Sequence, residues 1–199
     1  MLSGASLFFK CENFQKSGSF KIRGAANTIL QLEKSELKGG IVTASSGNNG
    51  VAVSSIATKL GYGSTIVMPR NTSHVKVETV LRNNGKVIWC EPNQASRDKT
   101  LKDILLSTKK VLVHPYDDDR IIAGQATVAL ELLEAKTDLD VIIVPVSGGG
   151  LLSGSLSTSK QIKKSIKVYG AEPYNAADAY RSLISGKIED NVSTDTICD

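Results

Sequence analysis

Short apolar runs alternate with longer amphipathic stretches along the chain, and this alternation sets the expected architecture before any single residue does. Runs at 6–11 (SLFFKC), 40–45 (GIVTAS), 64–69 (STIVMP), 86–91 (KVIWCE), 110–115 (KVLVHP), 140–146 (DVIIVPV) and 167–172 (KVYGAE) read as strands. Between them, apolar residues at helical spacing predict helices near 20–37, 48–61, 73–84, 94–108, 120–136, 150–163 and 175–185. In the first helix, Phe20, Ala25, Ala26, Ile29, Leu30 and Leu32 form the expected apolar stripe. Strands separated by helices of this size build parallel βαβ units and an open sheet covered by helices. Ligands of such sheets bind beyond the carboxyl ends of the strands, where loops lead into helices. Three loops qualify: SSGNNG (45–50), HPYDDD (114–119) and SGGGLLSG (147–154).

Composition narrows the class. The 199 residues suffice for one large domain or two small ones, and 41% hydrophobic with 22% charged residues is ordinary for a globular protein. The net charge of +4 is spread without a Lys/Arg block, so neither a nucleic-acid nor a membrane partner is expected. The longest apolar run, Val141 to Val146, is too short to span a bilayer. The first residues lack the basic start of a secretion signal, and Cys11, Cys90 and Cys198 lack metal-ligand spacing, so a reducing cytoplasm is expected. His74 and His114 are isolated, which excludes a His-rich metal site. No linker or shift in composition appears, so any division into two domains is interleaved.

Four motifs carry candidate chemistry. After the strand at 140–146, Gly148, Gly149 and Gly150 open a helix, where bare backbone and free N–H groups suit a phosphate. A tight turn without a ligand explains the same glycines. In the loop at 45–50, Ser45, Ser46, Asn48 and Asn49 could bond a carboxylate or a ring hydroxyl, or Ser46 or Asn48 could simply cap the next helix. Lys21 follows SGSF at a helix start, where the positive end of the helix dipole and burial would favour a neutral, nucleophilic amine. On this segment alone a plain surface lysine is the favoured reading, because most lysines are exposed. Glu172 and Asp178 flank a turn before a helix and suit either a divalent cation or a helix cap built on Asn175 and Asp178. His114 before Pro115 reads as structural.

Taken in order, LFFKCENFQKSGSFKIRGA (7–25), SSGNNG, VPVSGGGLLSG (144–154) and VYGAEPYNAAD (168–178) resemble the serine racemase and serine/threonine dehydratase family. These are pyridoxal-phosphate (PLP) enzymes of fold type II. The resemblance implies two interleaved open parallel-sheet domains of the tryptophan synthase β type. Residues 39–117 would form the small α/β domain, and 1–38 with 118–199 an incomplete large domain. It implies PLP held as a Schiff base by Lys21, with Phe20 beside the ring and Asn48 on the ring hydroxyl. Ser147, Gly148, Gly149, Gly150 and Leu151 would hold the phosphate. Lys21 and Ser46 would be the catalytic pair on opposite faces of an amino-acid substrate, with Ser45, Asn48, Asn49 and Arg97 as further substrate contacts. Glu172, the Ala176 carbonyl and Asp178 would bind Mg²⁺, or Ca²⁺ or Mn²⁺ in its place.

The implied activity is interconversion of L- and D-serine with elimination of serine to pyruvate and ammonia. The alternative is dehydration of L-serine, L-threonine or 3-hydroxyaspartate. A homodimer and activation by ATP are further implications of the family. The chain departs from the pattern at Asn49, where His is usual, at Ser147, in place of a first glycine, and at Tyr116, where a smaller polar residue is usual. It is also shorter than the family at both ends, which adds a reading of another class: an inactive truncated relative that acts only as a binding partner.

Overall fold

A computed structural model describes residues 4–191 and residue 196; Cys198 lies outside them. In chain order the elements are α1 (Lys21–Gln31), α2 (Lys34–Leu37), β1 (Ile41–Ala44), α3 (Asn48–Lys59), β2 (Ser64–Pro69), α4 (His74–Arg82) and β3 (Gly85–Cys90). There follow α5 (Gln94–Ser107), β4 (Val111–Leu112), α6 (Asp119–Ala135), β5 (Val141–Pro145), α7 (Gly150–Ile162), β6 (Lys167–Ala171) and α8 (Asp178–Ser185). Short 3₁₀ turns occupy Glu12–Phe14 and Tyr174–Ala176.

Two parallel sheets result. The first has the order β3-β2-β1-β4, and the second pairs β5 with β6. In the first, alternate residues of β1 and β2 face opposite layers. Ile41, Ile66 and Met68 pack with Val51, Ala52, Val77 and Val80 of α3 and α4 and with Ile22, Ala25 and Ile29 of α1. Val42, Ala44, Val67 and Cys90 pack with Ile104 of α5. Helices on both faces explain why β1 and β2 read as continuous apolar runs. In the second sheet, Ile142 and Val144 face a core built with Leu133, Leu151 and Ile166, whereas Val141 and Ile143 point outward and are exposed.

Helix α6 joins the two units. It crosses α1 where Gly124 meets Gly24 so closely that a Cβ on Gly124 would stand 2.6 Å from the Gly24 Cα. On its other side α6 meets α7 at Gly154, where a Cβ would stand 2.6 Å from the Ile122 carbonyl oxygen.

The parallel α/β architecture expected from the pattern is present, with three local differences. Residues 6–11 form no strand. Side chains tie this segment to α6 instead: Lys10 Nζ pairs with Glu131 at 2.5 Å, and Lys136 Nζ lies 4.8 Å from the Phe8 ring centre. The helix expected over 20–37 breaks at Leu32, which is extended, because Glu33 and Glu36 form a reciprocal capping box that starts α2. Leu30 falls outside the buried stripe and is exposed, its place taken by Ile22 and Thr28.

Candidate active site

Strand order points to the site. The chain builds β1, β2 and β3 outward in one direction, then returns to the other side of β1 with β4. The loops after β1 and β4 therefore leave the sheet side by side at a topological switch point, where open α/β sheets bind ligands. These loops are SSGN and HPYDD.

Lys21 enters this crevice from α1. It is the first helical residue, and its Nζ donates to the Pro115 carbonyl oxygen at 2.6 Å. Burial lowers its pKa from 10.5 to about 8, so an appreciable fraction of the amine is neutral near physiological pH. The Phe20 ring centre lies 5.4 Å from the amine, and Phe20 itself packs on the core of the second sheet.

The next turns of α1 hold this geometry. Arg23 bonds both oxygens of Glu12 at 2.8 Å each, the Glu131 carboxylate at 2.7 and 2.8 Å, and Thr127 Oγ1 at 2.9 Å. Hydrogen bonds from Arg23 and Lys10 pull the Glu131 pKa down to about 2. One residue on, Gly24 makes the close crossing with α6, and Asn27 Nδ2 donates to the Arg120 carbonyl at 2.6 Å.

The loop after β1 is ordered from within. Ser45 Oγ accepts from the Gly47 N–H at 3.1 Å. Asn49 is buried; its Nδ2 donates to Thr43 Oγ1 at 3.0 Å, and its Oδ1 has no hydrogen-bond partner. Ser46 and Asn48 are exposed, and α3 starts at Asn48 without a side-chain cap. Ser46 lines a cleft of about 180 Å³ together with Asn71, Gln94 and Arg97. Arg97 also lies close enough to His114 to help lower its pKa, although burial is the main cause.

The glycine turn divides in two. Gly149 has φ +84°, a left-handed conformation that favours glycine, and a Cβ there would meet nothing within 4 Å. Gly148 and Gly150 answer to a neighbour instead: a Cβ on Gly148 would run into the Tyr116 ring, and one on Gly150 would stand 2.7 Å from the Tyr116 carbonyl oxygen. Helix α7 starts at Gly150 without a side-chain cap, so its first N–H groups, which no helix satisfies from within, are not taken by an N-cap side chain. Ser147 is exposed beside them. The Leu151 side chain is buried in the core, which leaves its N–H as the group on the turn.

The remaining expected ligands lie after β6. Glu172 accepts from the N–H groups of Ala179 (3.0 Å) and Tyr180 (2.8 Å), so it caps α8. Each of its oxygens keeps a lone pair, but among the described residues no group of three His, Cys, Asp or Glu side chains is placed to hold a metal ion.

The structure thus brings Lys21, the HPYDD loop and the glycine turn together, and places Ser46 with Arg97 in a cleft at the same sheet end. A buried amine beside a helix start with free N–H groups fits a phosphate-bearing aldehyde such as PLP. Sequence reasoning missed the Pro115 carbonyl, a backbone atom common to every residue type. It also missed the Gly24–Gly124 crossing. A glycine in the first turns of each of two helices, in KIRGA and IAGQA, was the available signal.

The resemblance read from the motifs is borne out by comparison with known proteins. The family described as pyridoxal-phosphate dependent enzyme matches residues 2–199. The serine racemase of Arabidopsis thaliana is 48% identical over 198 residues, covering 100% of this chain and 60% of that protein. The beta-hydroxyaspartate dehydratase of Paracoccus denitrificans is 42% identical, covering 100% of this chain and 63% of that protein. The solved structure of maize serine racemase matches with a TM-score of 0.94 at 46% identity, covering 98% of this chain and 59% of that one. The chain spans about three fifths of the length of these curated relatives.

Proposed function

Because the chain belongs to the pyridoxal-phosphate dependent enzymes, we propose that it interconverts L- and D-serine and also eliminates water from serine to give pyruvate and ammonia. The observation that carries this reading is the Lys21 amine, first in its helix, buried, with a pKa of about 8 and held at the Pro115 carbonyl beside the glycine turn. Similarity to the serine racemases of Arabidopsis and maize supports the choice of substrate.

Lys21 would hold PLP through its amine, with Phe20 beside the ring and Asn48 toward the ring hydroxyl. Ser147 and the N–H groups of Gly148, Gly149, Gly150 and Leu151 would take the phosphate. When bound, PLP supplies an electron sink for the pair left on the α-carbon of the amino acid. The Lys21 amine takes the α-proton from one face, and the Ser46 hydroxyl returns one to the other, which inverts the centre. Arg97, in the cleft with Ser46, offers its charge to the substrate carboxylate, and Ser45 shapes the loop that presents Ser46. When the Cβ–OH bond breaks instead, hydroxide leaves with the α-proton as water. The 2-aminoacrylate product tautomerises and hydrolyses to pyruvate and ammonia.

A second reading, dehydration of 3-hydroxyaspartate, draws on the Paracoccus relative and on Arg97, whose charge suits a second carboxylate. Family resemblance extends the proposal further. Glu172, Ala176 and Asp178 hold Mg²⁺, ATP acts as an activator, the chain works as a cytoplasmic homodimer, and residues 39–117 move against the rest to close the cleft.

The test is a visible spectrum with PLP, followed by borohydride reduction and peptide mapping. A lysine-dependent band that is lost in Lys21→Ala supports the cofactor assignment, and its absence in the unaltered chain sinks it. With L-serine, Ser46→Ala should lose D-serine formation at least a hundred-fold, the order expected for a positioned acid or base, while pyruvate formation persists. Equal loss of both products would remove Ser46 from its role.

A further inference from the structure

Six contacts converge on the loop that follows β4. Lys21 Nζ donates to the Pro115 carbonyl at 2.6 Å. His114 Nδ1 accepts from the N–H groups of Tyr116 (3.3 Å) and Asp117 (2.7 Å), which folds residues 114–117 into a turn. The Tyr116 ring stands edge-on to His114, with centroids 4.8 Å apart and planes at 82°. This is a favoured geometry for an aromatic pair. The same ring rests on Gly148 with no room for a Cβ between them, and the Tyr116 backbone crowds Gly150. One residue therefore lies between the carbonyl that holds the lysine and the turn that opens α7.

We propose that Tyr116 is a positioning residue: wedged between His114 and Gly148, its ring fixes the Pro115 carbonyl against the Lys21 amine and ties that amine to the glycine turn. The inference draws on Lys21 as the cofactor lysine for its purpose, but the contacts stand without a cofactor. Whatever orders Gly148 orders Pro115 through the ring. The packing uses the ring and not its hydroxyl, so phenylalanine should serve at this position. Alanine should release the loop, admit water to the Lys21 amine and return it toward ordinary lysine behaviour. Asp117 and Asp118 on the same loop, Arg97 from α5 and Lys21 itself are the charges that act on His114. Substituting Tyr116 alters none of them, and burial is what lowers the Lys21 amine, so a change at Lys21 would report solvent access rather than a lost charge.

Competitive labelling tests this. The 199-residue chain, cleared of any carbonyl adduct with hydroxylamine, is treated with trace acetic anhydride from pH 6.5 to 11. Labelling of the Lys21 peptide is then read by mass spectrometry against the exposed Lys99. Tyr116→Phe should keep the Lys21 profile of the unaltered chain. Tyr116→Ala should move its midpoint up by about one pH unit, which cuts the neutral amine at pH 8 about five-fold. Should Tyr116→Ala fail to fold by circular dichroism, Gly148→Ala decides, because its methyl group forces the ring away and should give the same upward shift. The proposal is overturned if Phe and Ala shift the midpoint equally, or if neither Tyr116→Ala nor Gly148→Ala moves it. Absence of a PLP band alongside the predicted labelling shifts would sink the cofactor reading and leave the role of Tyr116 standing.

Discussion

The helix starts of this protein fall into two groups. Helices α5 and α6 are capped by Asn93 and Asp118, α2 by its capping box, and α8 by the Glu172 carboxylate reaching over from the end of β6. Helices α1, α3 and α7 begin at Lys21, Asn48 and Gly150 with no side-chain cap. Capping satisfies N–H groups that a helix cannot satisfy itself, so leaving them uncapped has a cost unless water or a ligand takes them. Ser73 before α4 also makes no cap bond, so a missing cap alone marks nothing. What sets the other three apart is convergence: α3 and α7 start at strand ends, and α1 brings its amine to the loop between them. Stability is placed at one set of helix starts and withheld at the other, where chemistry is expected.

The largest effect should come from removing the amine at the start of α1. Lys21 titrates near pH 8 when folded, against 10.5 for the free side chain, because burial disfavours its charge. Below pH 8 both states are protonated and the fold bears the full burial cost. Between the two values the unfolded chain binds more protons, so stability rises with pH; above 10.5 the cost is gone. Lys21→Met should therefore stabilise the chain at pH 7 by about 2 kcal/mol, the burial cost less the lost bond to Pro115. That gain should fade as pH approaches 10.5. Urea melts at pH 7 and pH 10 check this, and a variant less stable at both would show that the amine is not costly where it sits. The same substitution at an ordinary surface lysine should leave stability almost unchanged.

How much of this was legible beforehand differs residue by residue. The parallel α/β order and the three strand-end loops followed from periodicity alone, because burial on both faces leaves unbroken apolar runs such as STIVMP. The apolar run at 6–11 looked the same yet forms no strand, since periodicity reports apolar character and not whether a neighbour is present to pair. The three glycines at 148–150 were read together as a phosphate cradle. In the structure two of them make room for Tyr116, and only Gly149 needs its unusual backbone angle. Lys21 by itself looked like a surface residue. In the fold its amine meets the Pro115 carbonyl, 94 residues later in the chain, and no local window contains that contact.

Gly149 gives the next prediction down in size. Its φ of +84° places an L side chain in a strained conformation, and the space around it is open, so Gly149→Ala tests conformation alone. The expected cost is about 1–2 kcal/mol of stability. If the uncapped start of α7 serves the phosphate, the shifted turn should also weaken PLP binding about ten-fold, which equals 1.4 kcal/mol. Stability lost without any change in PLP affinity would move this turn into the structural group, alongside the capped helices.

The smallest effect should lie at the start of α8, where the cap and the proposed cation draw on one carboxylate. Glu172 accepts from two N–H groups there, and its charge sits at the positive end of the helix. Glu172→Gln keeps one acceptor and loses the charge, so the cost should be about 1 kcal/mol by thermal melt in the presence of a chelator. Millimolar Mg²⁺ then separates the two uses. If the cation also binds through Ala176 and Asp178, Mg²⁺ should raise the melting temperature of the unaltered chain by linkage and do much less for Glu172→Gln. If Mg²⁺ moves neither protein, α8 is simply a capped helix and belongs with α5 and α6. If it moves both equally, the ion binds elsewhere, and the carboxylate at this helix start is a cap and nothing more.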